Sequence, residues 1–241
     1  MRRRVSHLPM RYLLLVLTLG LAVPAAAQDV EVDTTASGDP VDLPPNTEPF
    51  EVGIFRAVYG WESPAVVVPL RVVNRTAYPV YLGAAPALAV GALVTGANLD
   101  PAARLAVSQA VNFALTAGLK RAINRPRPYA VLTGVAARDR GHMSDDIFDP
   151  FSFPSGHTSS AFAIATSLSL SDPEWYVVLP SLAWAGTMGL ARIWHGVHYP
   201  TDVLVGAAIG AASGAAVHFL MPRLSGEDEG AALPVVLVVP L

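Results

Sequence analysis

From Ala77 to Leu99 the chain carries no charged residue, and four further apolar stretches of helical length follow at about 101–121, 157–170, 174–190 and 202–221. Their boundaries carry helix punctuation. Asp100 precedes Pro101 at the start of one, and the short turn "SDPE" between the third and fourth makes those two antiparallel neighbours. The stretch "YPVYLGAAPALAVGALVTG" is long enough to cross a bilayer, although Ala and Gly leave it weakly hydrophobic. Upstream, "PFEVGIFRAVYGW" and "SPAVVVPLRVVNRT" read as two short helices with apolar residues on more than one face, predicted to lie over the core or on a membrane surface. The pattern breaks at 122–153, where "RPRP" and "RDRGHMSDDIFDP" are too polar and proline-rich for continuous helix. A loop that long on a compact scaffold is a candidate for function.

Ala, Gly and Pro dominate where a sheet protein would be rich in Val, Ile and Thr, so the predicted fold is all-α: a bundle of about five core helices with flanking short helices. No internal repeat is evident. With 52% hydrophobic and 15% charged residues, the chain is apolar enough for contact with lipid to enter the reading. A net charge of -3 gives no general attraction to nucleic acid, and the lack of cysteine excludes disulfides, thiolate metal sites and cysteine nucleophiles. The first 27 residues have a basic head, an apolar stretch "YLLLVLTLGLAV" and small residues before Gln28, which predicts an export signal cleaved near Ala27, with an uncleaved first membrane helix as the other reading. Residues 28–48 read as a flexible acidic linker, 49–224 as the folded domain, and 225–241 as a tail whose "LPVVLVVPL" carries no functional reading.

If 101–121 runs upward, the polar clusters all fall at one end of the bundle. The first is "KRAINRPRP". Lys120 and Arg121 suit a helix C-terminus on dipole grounds, but Lys120 and Arg127 also supply a point charge and a forked guanidinium for a phosphate. The second is "PSGH", residues 154–157, opening a helix. Ser155 can cap it, Gly156 lets an anion reach the backbone N–H groups, and His157 has a pKa suited to giving a proton to a departing oxygen. The third is "ARIWHGVHYPTD". Arg192 ends one helix, and His198 precedes Asp202 by four residues, a spacing at which the carboxylate can accept from one ring nitrogen while the other attacks. His195 has no such partner in view and reads as structural. Together these groups suit phosphoryl transfer. A metal site on the two histidines and "SDDIFD" lacks any HExxH or His-x-x-x-His helix spacing.

These three clusters resemble the signature K-x6-RP, PSGH, SR-x5-H-x3-D of the type 2 phosphatidic acid phosphatase and vanadium haloperoxidase superfamily. Lys120 with Arg127 and Pro128, Pro154 to His157, and Arg192 with His198 and Asp202 meet it in order and spacing, over about residues 78–221. The resemblance implies an all-helical, metal-free phosphatase working through a phosphohistidine. His198 would be the nucleophile, Asp202 its orienting carboxylate and His157 the acid; Lys120, Arg127, Ser155, Gly156 and Arg192 would hold the phosphate. The signature's third-part serine is Ala191 here, which removes one supporting hydroxyl. The substrate expected first is a lipid or polyprenyl phosphate at the exported face of a membrane. A soluble broad-specificity acid phosphatase is the alternative, favoured by the export signal and by Asp172, Glu174 and Glu227 to Glu229. No cofactor is expected for either, and vanadate should inhibit; only a haloperoxidase, for which the chain is short, would take vanadate as a cofactor.

Overall fold

The computed structural model describes residues 49–138 and 150–222; the expected signal segment, linker and C-terminal tail, and the 139–149 part of the polar loop, lie outside the described residues. Two short helices, α1 (Pro49–Tyr59) and α2 (Pro64–Arg75), lead into α3 (Ala77–Thr95) and α4 (Asp100–Ile123). A single turn, α5 (Pro128–Val131), follows, and then α6 (Gly156–Ser171), α7 (Trp175–Trp194) and α8 (Pro200–Leu220). Among the described residues the only strand-like pairing is an isolated antiparallel bridge between Pro126 and Phe151. The five long helices coincide with the five apolar stretches. The proline-rich break contributes only α5, because Pro126 and Pro128 supply no N–H to continue α4.

Helix α6 is the axis of the bundle, touching α3, α4, α7 and α8. Its closest partner is α8, and the reason lies in a run of glycines every fourth residue. A Cβ at Gly206 would come 2.6 Å from the Ser155 carbonyl oxygen, one at Gly210 2.0 Å from that of Ser159, and one at Gly214 3.0 Å from that of Ala163. Three glycines on one face of α8 thus allow direct backbone contact with α6, which larger side chains would forbid. The rest of the interior mixes alanines with a few larger side chains: Ala77, Ala161, Ala165, Ala185 and Met188 join α3, α6 and α7, while Ala84, Leu105 and Ile164 join α3, α4 and α6.

At the end where α6 and α8 begin and α4 and α7 finish, α1 and α2 form a cap. Phe55 and Val58 of α1, Val67 and Leu70 of α2, Leu132 and Val135 after α5, and Ile193, Trp194 and Tyr199 make a separate apolar cluster there. The Trp194 indole donates to the Trp61 carbonyl at 2.9 Å, and Gly196, with φ of 79°, turns the chain out of α7 close to the Ala136 carbonyl. The short helices therefore lie over the core, roofing the pole to which the polar clusters belong.

Candidate functional site

Each polar cluster is carried to this pole by a helix end. Along α4, the residues Ser108, Asn112, Thr116 and Lys120 repeat every fourth position and are all buried, so a polar stripe inside the bundle ends on a lysine. The Asn112 amide donates to Ser160 at 3.3 Å and accepts from the Ser159 hydroxyl, tying that stripe to α6. Lys120 Nζ donates to the Phe151 carbonyl at 2.8 Å. Its side chain passes beside Gly156: a Cβ there would lie 3.9 Å from the lysine Cε. Ser155 caps α6, its hydroxyl accepting from Thr158 N at 3.4 Å and pairing with the Thr158 hydroxyl at 2.9 Å. The first amides of α6 then have no acceptor within the helix and carry the positive end of its dipole. Arg192 sits in the last turn of α7, buried, with one guanidinium nitrogen donating to Asn74 of α2 at 2.9 Å. Arg127 is 2% exposed, and one of its Nη atoms reaches the Val197 carbonyl at 3.5 Å.

His198 follows α7 and is buried. Burial, the positive charges of Arg127, Lys120 and Arg192, and then His157 drive its pKa well below the ordinary histidine value. Those same contributions place all three cations and the second imidazole within electrostatic reach of one ring. The ring is therefore neutral over the physiological range, with one nitrogen carrying a proton and the other a lone pair. Its Nδ1 lies 2.7 Å from the Ser152 carbonyl oxygen, which can only accept. The proton is thus on Nδ1, and Nε2 holds the lone pair.

Here the geometry differs from the i,i+4 expectation. Asp202 places Oδ2 3.6 Å from Nδ1, farther than the carbonyl of Ser152. Both its oxygens have closer partners: Oδ2 accepts from the Tyr199 amide at 2.7 Å, closing the first turn of α8, and Oδ1 accepts from Arg125 at 2.8 Å. The spacing of four considers only a partner close in the chain. A backbone carbonyl from another loop arrives closer. Asp202 closes the first turn of α8, the helix that begins directly after His198.

Arg125, absent from the expected site, is the centre of this second layer. It is buried, donates to Thr201 and Asp202 at 2.8 Å each and to Glu51 of α1 at 2.7 Å, and lies 4.0 Å above the Tyr199 ring. Glu51 also accepts from the amide and hydroxyl of Thr201, the amide at 2.9 Å. Burial alone would raise the Glu51 carboxyl, but these hydrogen bonds outweigh it and hold the pKa below its ordinary value. Burial would likewise lower Arg125, and the hydrogen bond and charge of its two carboxylates reverse that. The sequence did carry a signal for Arg125, since "RPRP" repeats the Arg-Pro pair. It carried only a faint one for Glu51, a single acid in an apolar helix.

His157, at the start of α6, is half-buried and set edge-on between two rings of α3, with centroids 5.4 Å from Tyr78 and 5.8 Å from Tyr81. The Tyr81 hydroxyl donates to the His157 carbonyl at 2.8 Å. Neither tyrosine was singled out from the sequence. His195 is buried against Trp194 and neither ring nitrogen has a hydrogen-bond partner among the described residues; burial and the neighbouring arginines keep it neutral. Lys120, Arg127, Ser155, Gly156, His157, Arg192, His198 and Asp202 are thus all at one pole. Asp100, Asp172 and Glu174 lie at the other ends of their helices.

The fold is thus an all-helical bundle with a neutral histidine, a second imidazole, a helix N-terminus and several buried cations gathered at one pole, a set of groups whose chemistry suits a small multivalent anion. The family model of the PAP2 superfamily matches residues 101–225, and the chain belongs to that superfamily. Among its relatives, the lipid A 1-phosphatase of Rhizobium johnstonii is 38% identical over 100 residues, 39% of this chain and 36% of that protein. The decaprenylphosphoryl-5-phosphoribose phosphatase of Mycobacterium tuberculosis is 35% identical over 111 residues, 44% of this chain and 54% of that protein. The chain thus matches about a third to a half of the length of these two relatives. In three dimensions the protein resembles the crystal structure of Aquifex aeolicus LpxE, with a TM-score of 0.59 and 26% identity over 73% of this chain and 98% of that one.

Proposed function

We propose that this protein is a membrane-bound, metal-independent phosphatase that hydrolyses a lipid or polyprenyl phosphate monoester or pyrophosphate through a phosphohistidine, with its site at the exported face. The observation that carries the reading is the neutral His198 ring, its Nδ1 proton held by a carbonyl and its electrostatics dominated by Arg127, Lys120 and Arg192. In this mechanism Nε2 attacks phosphorus. The P–N bond forms as the bond to the leaving oxygen breaks, and His157 gives that oxygen a proton. Lys120, Arg127, Arg192, the Ser155 hydroxyl and the amides beginning at Gly156 hold the equatorial oxygens, whose charge they are placed to offset. Water then attacks phosphorus, His157 takes up its proton, and the P–N electron pair returns to the ring. Asp202 steadies the positive charge that the ring acquires between the two steps.

The named activities of the lipid A and decaprenylphosphoryl relatives support a lipid substrate. So does the surface. Helices α3 and α8 have the length and composition of membrane spans, and large apolar side chains such as Leu82, Leu93, Phe113, Leu179, Leu204 and Leu220 stand exposed around the bundle. The test is phosphate release from a panel of phosphatidic acid, phosphatidylglycerol phosphate, undecaprenyl pyrophosphate, lipid A and soluble monoesters, with and without EDTA and vanadate. Release from a lipid substrate that survives EDTA, stops with vanadate and leaves an acid-labile, alkali-stable phosphoenzyme is the expected result. Loss of activity in EDTA would count against it.

A further inference from the structure

We infer that Glu51 and Arg125 are positioning residues for His198, so that α1, which precedes the residues matched by the family model, completes the site. The inference rests on the reading of His198 as nucleophile and concerns how its ring is held. Two segments flank that ring, and both are tied to Arg125. On one side, the Arg125 guanidinium holds Thr201 and Asp202, the first turn of the helix that begins directly after His198. On the other, the Arg125 backbone carbonyl accepts from Ser152 N at 2.8 Å, the Ser152 hydroxyl donates to the Pro126 carbonyl at 3.1 Å, and the Ser152 carbonyl receives the Nδ1 proton. Glu51 anchors the arrangement from α1, gripping Arg125 at 2.7 Å and the Thr201 amide at 2.9 Å. A forked guanidinium can serve both carboxylates and a hydroxyl at once. A lysine ammonium, with one nitrogen, cannot span them. Because the acceptor on Nδ1 is a backbone carbonyl, its position depends on the loop that carries it, and the loop is held by this network.

The experiment compares Glu51→Gln, Arg125→Lys and His198→Ala in detergent-purified full-length protein, each checked for fold by circular dichroism and thermal melting. For the first two, kcat should fall by about 10²-fold with KM little changed, the cost of a nucleophile about an ångström out of line. Nitrogen-15 NMR of labelled histidine should show the Nδ1–H tautomer for His198 in the native protein, and a mixture with Nε2–H in Glu51→Gln. Folded Glu51→Gln and Arg125→Lys with unchanged kcat would overturn the inference. An Nε2–H tautomer in the native protein would overturn it too, and that reading needs no variant. His198→Ala separates the two levels: if it keeps turnover, the nucleophile reading fails, whereas an inactive His198→Ala beside fully active Glu51→Gln and Arg125→Lys sinks only the positioning role.

Discussion

At the scale of the residue, burial and three nearby cations favour the neutral form of His198, the form whose lone pair the proposed chemistry needs. In the proposed mechanism the charges that help to strip His198 of its second proton also hold the phosphate. Removing either part should be severe. His198→Ala and Arg127→Ala are each expected to lower kcat/KM by on the order of 10³-fold or more, measured as phosphate release from the best substrate of the panel. His157→Ala should cost far less with an activated leaving group such as p-nitrophenol than with an alcohol, since its role is to protonate that group. The same shifts govern stability. His195 and His198 both have folded-state pKa values below their unfolded ones, so the unfolded chain binds more protons as pH falls. Their contribution is fully present above the unfolded value of about 6.5 and is lost as pH drops from there toward the folded values. The anion-free protein should therefore show a falling melting temperature below about pH 6.5, with a shallower decline in His195→Gln. A melting temperature flat across that window would show that the rings are not buried and neutral as described.

At the scale of the element, the sequence was most informative where chemistry and helix punctuation coincide. Lys120, Arg127, the "PSGH" turn and Arg192 all stand beside a cap, a proline or a glycine, so their placement at one pole followed from counting helices. What could not be read was whatever depends on backbone groups or distant partners. Ser152 acts through its carbonyl, which has no side-chain signature, and Glu51 meets Arg125 across 74 residues. The glycine ladder of α8 belongs to the readable class in position and to the unreadable class in meaning. Gly206, Gly210 and Gly214 look like generic small residues of a greasy helix until α6 is seen against them. Gly210→Ala would drive a methyl into the Ser159 carbonyl, and Gly206→Ala one into that of Ser155, so each should destabilise by about 1–3 kcal/mol through overpacking. Gly206→Ala should also weaken phosphate or vanadate binding, because the carbonyl it displaces belongs to the residue that caps the anion-facing end of α6. Gly118→Ala and Gly186→Ala meet nothing within 4 Å and should instead raise stability slightly, by about 0.5–1 kcal/mol of helix propensity. Melting curves of the four variants side by side test the claim, and equal effects at Gly118 and Gly210 would contradict the direct α6–α8 contact.

For the whole molecule the question is which solvent surrounds the bundle, and the proposed membrane setting draws support from α4 without any count of hydropathy. Beyond Leu105 its buried residues are Ser108, Asn112, Thr116 and Lys120, while Val107, Val111, Phe113 and Leu115 point outward. A helix in water would be ordered the other way round. In α3 and α8 small residues such as Ala84, Gly91, Gly206, Gly210 and Gly214 face the interior while Leu82, Val94, Leu204 and Phe219 stand outside, as Leu179 does on α7. Helices α3, α4, α7 and α8 have 19, 24, 20 and 21 residues, and at about 1.5 Å per residue each matches or exceeds most of the ~30 Å hydrocarbon layer. Helix α6, with 16 residues, is shorter and is the one enclosed by the others. Formal charges gather at the helix ends, the arrangement that lets a bilayer cover the middle without burying an unpaired ion. The protein should accordingly stay with membranes through an alkaline carbonate wash and leave them only with detergent, and its activity should depend on detergent or lipid being present. Recovery of active, monodisperse protein in the aqueous supernatant would mean that the outward leucines and phenylalanines are covered by something other than lipid. It would move the alternative, a soluble acid phosphatase, to first place and leave the proposed chemistry at His198 unaffected, because that chemistry rests on the pole of the bundle and not on its girth.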